Sequence, residues 1–203
     1  MAIKGVSKPT CADYTNKGNG KVSYSNKFAA DHAVEYSVEV EASDNNDLYA
    51  DNRVQESAGG MFTSGTVTLQ TADLAPEIAK KMLGYKEVTR MVKEKQVKEI
   101  VADDDQKVPY MGFGIIEEHQ IDGATKYLPI VFPKVMFNIP ADAATTRGNT
   151  IEWQTKEISG KILRSDQVDE NYKHPWRICP TEMFDTEADA QGYVDAVLSA
   201  EEA

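Results

Sequence analysis

Val34-Glu35-Tyr36-Ser37-Val38-Glu39-Val40-Glu41-Ala42 places an apolar residue at every even position and a polar one at every odd position. Successive side chains of a strand point to opposite faces, so this alternation predicts a half-buried β-strand with its even-numbered face inward. Upstream, Val22 and Tyr24 form a shorter run bounded by turn chemistry at Gly18-Asn19-Gly20 and Ser25-Asn26, which predicts an opening hairpin or meander. Downstream, Phe62 to Leu69 alternates again, with Val67 and Leu69 on one face and Thr66 and Thr68 on the other. Between these strands, residues 43–61 run from Ser43-Asp44-Asn45-Asn46-Asp47-Leu48-Tyr49-Ala50-Asp51 to Gly59-Gly60-Met61. They carry Asx and Gly without periodicity and read as a long extended loop. A plain connector is shorter than this, so the loop is expected to be functional.

Composition agrees with a strand-rich chain. Among 203 residues, 12 Ile and 17 Val stand against 7 Leu, and β-branched side chains suit a pleated surface better than a helix. An apolar content of 41% suffices for a core, and no repeat or low-complexity linker divides the chain, so residues 1–203 are read as one domain. The period changes after Leu69. Leu74, Ile78 and Met82 recur at helical spacing, Asp73 can cap, Pro76 suits a first turn and Gly84 can end the helix, which predicts a short helix over roughly 74–83. Residues 85–101 fit helical and strand templates about equally, and strands are favoured. Tyr110 to Gln120 and Lys126 to Phe137 flank Asp122-Gly123, a strong hairpin signal. Pro129 and Pro133 cannot donate to a ladder, which predicts an edge or bulge in the second of these strands. Ile151 and Trp153 fall out of phase with Ile158 and Ile162, which predicts a bulge near Lys156. Trp176 to Cys179 is read as a further strand. Thr186 to Ala200 is read as a closing helix, with Thr186 and Asp189 placed like a capping box. The fold class is therefore mainly β (α+β): a β-sandwich or barrel-like domain with a short flanking helix and a C-terminal helix.

The net charge is −11, which repels polyphosphate and anionic lipid and disfavours a nucleic-acid or membrane-surface binder. No apolar run approaches the roughly 20 residues that span a bilayer, and Met1-Ala2-Ile3-Lys4-Gly5 has no signal-peptide h-region, so assembly in the cytoplasm is expected. The charge is uneven. Residues 31–56 and the stretch after Arg177 are strongly acidic, whereas Lys86, Arg90, Lys93, Lys95 and Lys98 concentrate positive charge. Two readings of that asymmetry stand: solvated faces that keep an acidic protein soluble, or complementary faces for self-association, with the acidic loop and tail meeting the basic group on a neighbour.

Motifs for chemistry are missing. His32, His119 and His174 lie in separate segments without ligand-like spacing, and Leu48 and Tyr49 interrupt any calcium-loop reading of Asp44, Asp47 and Asp51. Gly112-Phe113-Gly114 lacks the third glycine and the following helix of a dinucleotide site. Cys11 and Cys179 are read as reduced thiols. No catalytic residue, metal or cofactor is expected. Leu48, Tyr49 and Met61 give the loop apolar content, which suits a segment that orders by binding another chain, with Met61-Phe62 anchoring its base.

Several blocks, in order, are similar to one family: Lys21-Val22-Ser23-Tyr24-Ser25, Asp44-Asn45-Asn46-Asp47-Leu48-Tyr49-Ala50-Asp51, and Phe62-Thr63-Ser64-Gly65-Thr66-Val67-Thr68-Leu69 with its following helix. Val131-Phe132-Pro133-Lys134-Val135 and Thr145-Thr146-Arg147-Gly148-Asn149-Thr150-Ile151-Glu152-Trp153-Gln154-Thr155 extend the likeness. Over about residues 20 to 165 the chain resembles major tail proteins, the tail-tube proteins of long-tailed, siphovirus-type bacteriophages. The resemblance implies a structural virion protein that forms hexameric rings stacked into a hollow tube, with DNA passing only in transit. It also implies that the loop at 43–61 reaches a neighbouring subunit, and that the partners are tape measure, tail-tip and tail terminator proteins. The rival reading is a monomeric β-sandwich binding module, for instance for carbohydrate, presenting Tyr49, Trp153 or Trp176.

Overall fold

The computed structural model describes residues 2–30, 32–72, 74–142, 146 and 155–199. Strand β1 (Ala2–Gly18) turns through Asn19 and Gly20 into β2 (Lys21–Ala29), and β3 (Ala33–Ala42) follows. A protruding hairpin, β4 (Asn46–Ala50) and β5 (Arg53–Ala58), precedes β6 (Phe62–Thr71) and the helix α1 (Pro76–Leu83). A second hairpin, β7 (Lys86–Val92) and β8 (Lys95–Val101), leads to β9 (Tyr110–Ile121), β10 (Ala124–Phe137), β11 (Lys156–Ile162) and the helix α2 (Glu187–Val197). Seven strands form one antiparallel sheet in the order β2-β1-β9-β10-β11-β6-β3, and each hairpin is a separate two-stranded sheet. Strand β3 packs back against β1, so the large sheet folds over on itself like a sandwich. The mainly β class with two helices is as the sequence implies.

Local chemistry explains the elements that the sequence marks. Asp122 and Gly123 both have positive φ, 48° and 85°, the geometry of the hairpin turn joining β9 to β10. Helix α1 has Pro at its start and Gly84 beyond its end at φ 68°, but its N-cap is Ala75 without a side-chain bond, and Asp73 lies outside the described residues. Thr186 caps α2 by accepting the Asp189 N–H at 3.1 Å. Residues 85–101 form two strands.

Three expectations need correction, and one strand has no counterpart in the sequence reading. Strand β1, the longest, is invisible to a periodicity search because register shifts between Ile3 and Gly5 and between Ser7 and Thr10 break its alternation twice. Ser25-Asn26 is no turn: β2 runs through it, with Asn26 at φ 51° where the register against β1 slips. Consecutive β2 and β3 therefore do not pair but occupy opposite edges of the sheet. Trp176 to Cys179 forms no strand, only an isolated bridge between Ile178 and Val131. The slip proposed around Ile151, Trp153 and Lys156 lies outside the described residues except at Lys156, where β11 begins. The prolines behave as read. Tyr127 and Val131 exchange backbone bonds with Phe184 and Ile178 at an otherwise open side of β10, Pro129 sits between them, and a register shift spans Pro133.

The main core lies inside the folded sheet, where Phe113, Phe132 and Phe137 meet Val67, Leu69, Ile158 and Ile162, and where Met82 and Leu83 of α1 cover one end. A second cluster on the outer face joins Ile116 and Val131 to Ala190, Val194 and Leu198 of α2 and its cap. Gly112 and Gly114 make this docking possible. A Cβ at Gly112 would sit 2.6 Å from the Tyr24 ring and also against Leu198, and one at Gly114 would meet Val194. The Tyr24 ring cannot easily retreat, since its hydroxyl donates to the Pro133 carbonyl at 3.0 Å. Gly112→Ala is therefore expected to destabilise the fold by roughly 1–3 kcal/mol through overpacking. Faster hydrogen exchange confined to α2 would be the local signature, and an unchanged unfolding midpoint would refute this account of the glycine.

Candidate assembly surface

Residues 43–61 are not an irregular loop. They form an arm whose β4–β5 ladder pairs Asp47 with Ser57, Leu48 with Glu56, Tyr49 with Val54 and Ala50 with Arg53. Asp51 and Asn52, at φ 51° and 60°, make the two-residue turn at its tip, and both residue types tolerate that geometry. At the root, the Ser43 N–H donates to the Met61 carbonyl at 2.9 Å and the Met61 N–H to Ser43 Oγ at 3.0 Å, while the Gly60 N–H donates to Asn45 Oδ1 at 2.9 Å. Phe62, immediately beyond, stacks flat on Trp176 with ring centroids 4.3 Å apart, and the Arg164 guanidinium donates to its carbonyl. The base of the arm is held by the backbone of Met61 and the ring of Phe62, while Met61 as a residue is 66% exposed.

Every residue of β4 and β5 is exposed on both faces. Leu48, Tyr49 and Val54 stand in water, and Asp44, Asp47, Asp51, Arg53 and Glu56 form no ion pair among the described residues. An isolated two-stranded hairpin is marginally stable, so this element is built without internal support.

The β7–β8 hairpin carries the expected basic residues in two distinct conditions. Lys86 pairs with Asp103 at 2.5 Å, Arg90 pairs with Glu99 across the ladder, and Lys98 pairs with Glu87 at 2.9 Å. Only Lys93 and Lys95, at the tip, have no ion pair among the described residues. The basic surface read from sequence is thus largely neutralised by its own acids. Lys93 and Glu94 both have positive φ, 46° and 65°, an uncommon conformation for such side chains.

Lys80 joins this hairpin to α1 by binding Glu87 at 2.6 Å. Hydrogen bonds from the Lys80 and Lys98 ammonium groups pull the Glu87 carboxyl from its ordinary 4.5 down to about 2. Because the folded value lies below the unfolded one, the stabilisation is complete above the ordinary range and is lost as pH falls toward 2. A carboxyl-carbon NMR titration is expected to show Glu87 still ionised at pH 3.5, where ordinary glutamates are mostly protonated. A midpoint near 4.5 would contradict these pairs.

The sheet edges complete the surface. Strands β2 and β3 are terminal, each hydrogen-bonded along one side only. Tyr36 and Val38 of β3 pack on the core, whereas Val34 and Val40 are exposed, Val34 beside a register shift. One contact pins β3 internally: the Tyr36 hydroxyl donates to buried Glu117, whose other oxygen lies 2.9 Å from His119 Nε2. Burial and that carboxylate push the Tyr36 phenol well above its ordinary value.

The remaining residues singled out in the sequence are dispersed. His119 is buried with Glu117, and His174 Nδ1 lies 2.9 Å from the Ser165 carbonyl. His32 follows β2, beside a cleft lined in part by Lys27 and Asp195. Among the described residues, no group of three or more His, Cys, Asp and Glu side chains is arranged to hold a metal ion. Cys11 is buried, which pushes its thiol well above the ordinary value, and Cys179 is exposed; both are free. One ring face of Trp176 is covered by Phe62, Tyr49 is exposed, and Trp153 lies outside the described residues. Among the described residues, no helix is long and apolar enough to cross a membrane. No protein-family model matches the chain, and no curated protein matches it.

Proposed function

We propose that the chain is a structural subunit that associates with copies of itself into rings stacked as a hollow tube, the tail tube of a siphovirus-type phage. The single observation that carries the reading is a fully formed hairpin arm with no residue buried, set between β3 and β6 of an otherwise well-packed sheet. Folding gains nothing from such an arm unless another surface covers it. The two terminal strands add open backbone edges, which natural proteins either protect or use for association. Ring closure would pair them.

Under this reading the subunit works in the virion after assembly in the host cytoplasm, and tape measure, tail-tip and tail terminator proteins are its further partners. The charge fits a conduit. A lumen dense in Lys and Arg would release counterions from DNA and hold it, whereas a chain of net charge −11 interacts weakly with a passing duplex. Negative-stain microscopy of concentrated protein, alone and with a tail-tip initiator complex, is expected to show rings or tubes that weaken as salt rises. Protein that remains monomeric in both conditions would overturn the proposal.

A further inference from the structure

Each hairpin has one face whose chemistry answers the other. Along β4, Asp47 and Tyr49 are two residues apart and share a face, and the ladder sets Val54 opposite Tyr49. This face is an apolar pair beside an unmatched carboxylate. On the second hairpin, Val88, Val92 and Val97 share one face, because Val88 and Val92 lie in phase along β7 while Val97 is opposite Arg90, which is also in phase. All three valines are exposed. On that face the Arg90 charge is matched by Glu99 and Lys86 is matched by Asp103, which leaves Lys95, opposite Val92, as its unmatched cation.

We propose that the arm of one copy lies on the β7–β8 hairpin of a second copy, with Tyr49 and Val54 against Val88, Val92 and Val97, and Asp47 against Lys95. The inference rests on the self-assembly reading and names the surfaces that meet. Charge selects both the occupant and the face. The opposite face of β7–β8 carries Glu87 and Lys98, already joined to each other and to Lys80 of α1, so it offers no free charge. The opposite face of the arm holds Arg53 and Glu56, of mixed sign, with Leu48 as its exposed large apolar side chain. Stacking the two complementary faces would cover five exposed apolar side chains, Tyr49, Val54, Val88, Val92 and Val97, and it would pair the unmatched ion of one face with that of the other. Cross-strand apolar clusters and charge complementarity of this kind supply register as well as affinity.

The test is a charge swap in the full chain. Asp47→Lys and Lys95→Asp are each expected to raise the concentration needed for assembly by roughly tenfold, since each places like charges in contact. An equimolar mixture of the two variants should assemble nearly as the wild type does, because either arm then finds an opposite charge on the other chain. Both positions are exposed, and unfolding midpoints equal to the wild type would verify that each variant is folded. As an independent measurement, Tyr49→Cys and Val92→Cys chains carrying Cys179→Ser are mixed and oxidised under assembly conditions, and should yield a disulfide-linked dimer of the two. If rings or tubes form but the single variants assemble normally, the mixture shows no rescue, or no cross-link forms, the hairpin contact is wrong while the tube reading stands. Failure of the wild type to assemble at all would overturn both.

Discussion

Excision of residues 44–60, with Ser43 joined to Met61 through an Asn-Gly turn, is expected to leave a folded monomer and to abolish assembly. Ser43 and Met61 are already backbone-paired, so a two-residue turn can close β3 onto β6 without altering their register. Nothing of the core is removed: no side chain of β4 or β5 is buried, and Phe62 keeps its stack on Trp176. Loss of stability should stay within about 0.5 kcal/mol, the range of surface changes away from packed features. Assembly should fall below detection, since every copy would lose its arm and a repeated contact multiplies the deficit around a ring. Thermal unfolding followed by circular dichroism reads the first expectation, and electron microscopy at matched concentration reads the second. Tubes formed by the shortened chain would show that the arm is dispensable; an unfolded product would show that it supports the core after all.

Phe113→Ala should do the reverse. Phe113 is fully buried, lies 6.3 Å from Phe132 and packs edge-on against Phe137 at 5.8 Å, so it joins β9 to the middle and the C-terminal end of β10 inside the sandwich. Removing a buried aromatic ring costs about 3–5 kcal/mol through lost burial and the cavity left behind. At this chain length each kcal/mol moves the midpoint by about 2–4 °C, which predicts a drop of roughly 10 °C. Chemical and thermal denaturation should agree. Association would suffer only through unfolding, so assembly at low temperature should survive. A Tyr49→Ala chain provides the contrast: its unfolding is expected to match the wild type while its association weakens. If Phe113→Ala loses less than about 1 kcal/mol, the aromatic cluster is not the centre of stability that its burial implies.

The two hairpins show why the surface was only half legible. Asp51-Asn52 is turn chemistry, but within a segment already rich in Asx and Gly it registered as loop composition rather than as the tip of a ladder. Lys93-Glu94 carries no turn signal, so the equally regular β7–β8 hairpin left its segment ambiguous between helix and strand. Both are short, β4, β5 and β7 are exposed on both faces and β8 is half-buried only at its last three residues, so the period-two pattern that reveals a strand has little to create it. The basic cluster illustrates a different limit. Lys86, Arg90 and Lys98 are adjacent to acids across a ladder or a loop, and counting residues along the chain cannot reveal that Asp103, Glu99 and Glu87 already neutralise them.

By itself, the sequence determined the elements whose signals are local. The Asp122-Gly123 turn, the inward Val67 and Leu69, the Gly84 stop and the Thr186 cap each depend on a few neighbouring dihedrals and side chains, and these suffice for a mainly β chain with two helices. Tertiary structure alone decided that β2 and β3 stand at opposite edges, that the bulged β1 lies beside β9, and that, among the described residues, only Lys93 and Lys95 of the basic hairpin's Lys and Arg remain unmatched. Strand pairing and ion pairing join residues far apart in the chain, and their free energies depend on distances that exist only after the sheet has closed.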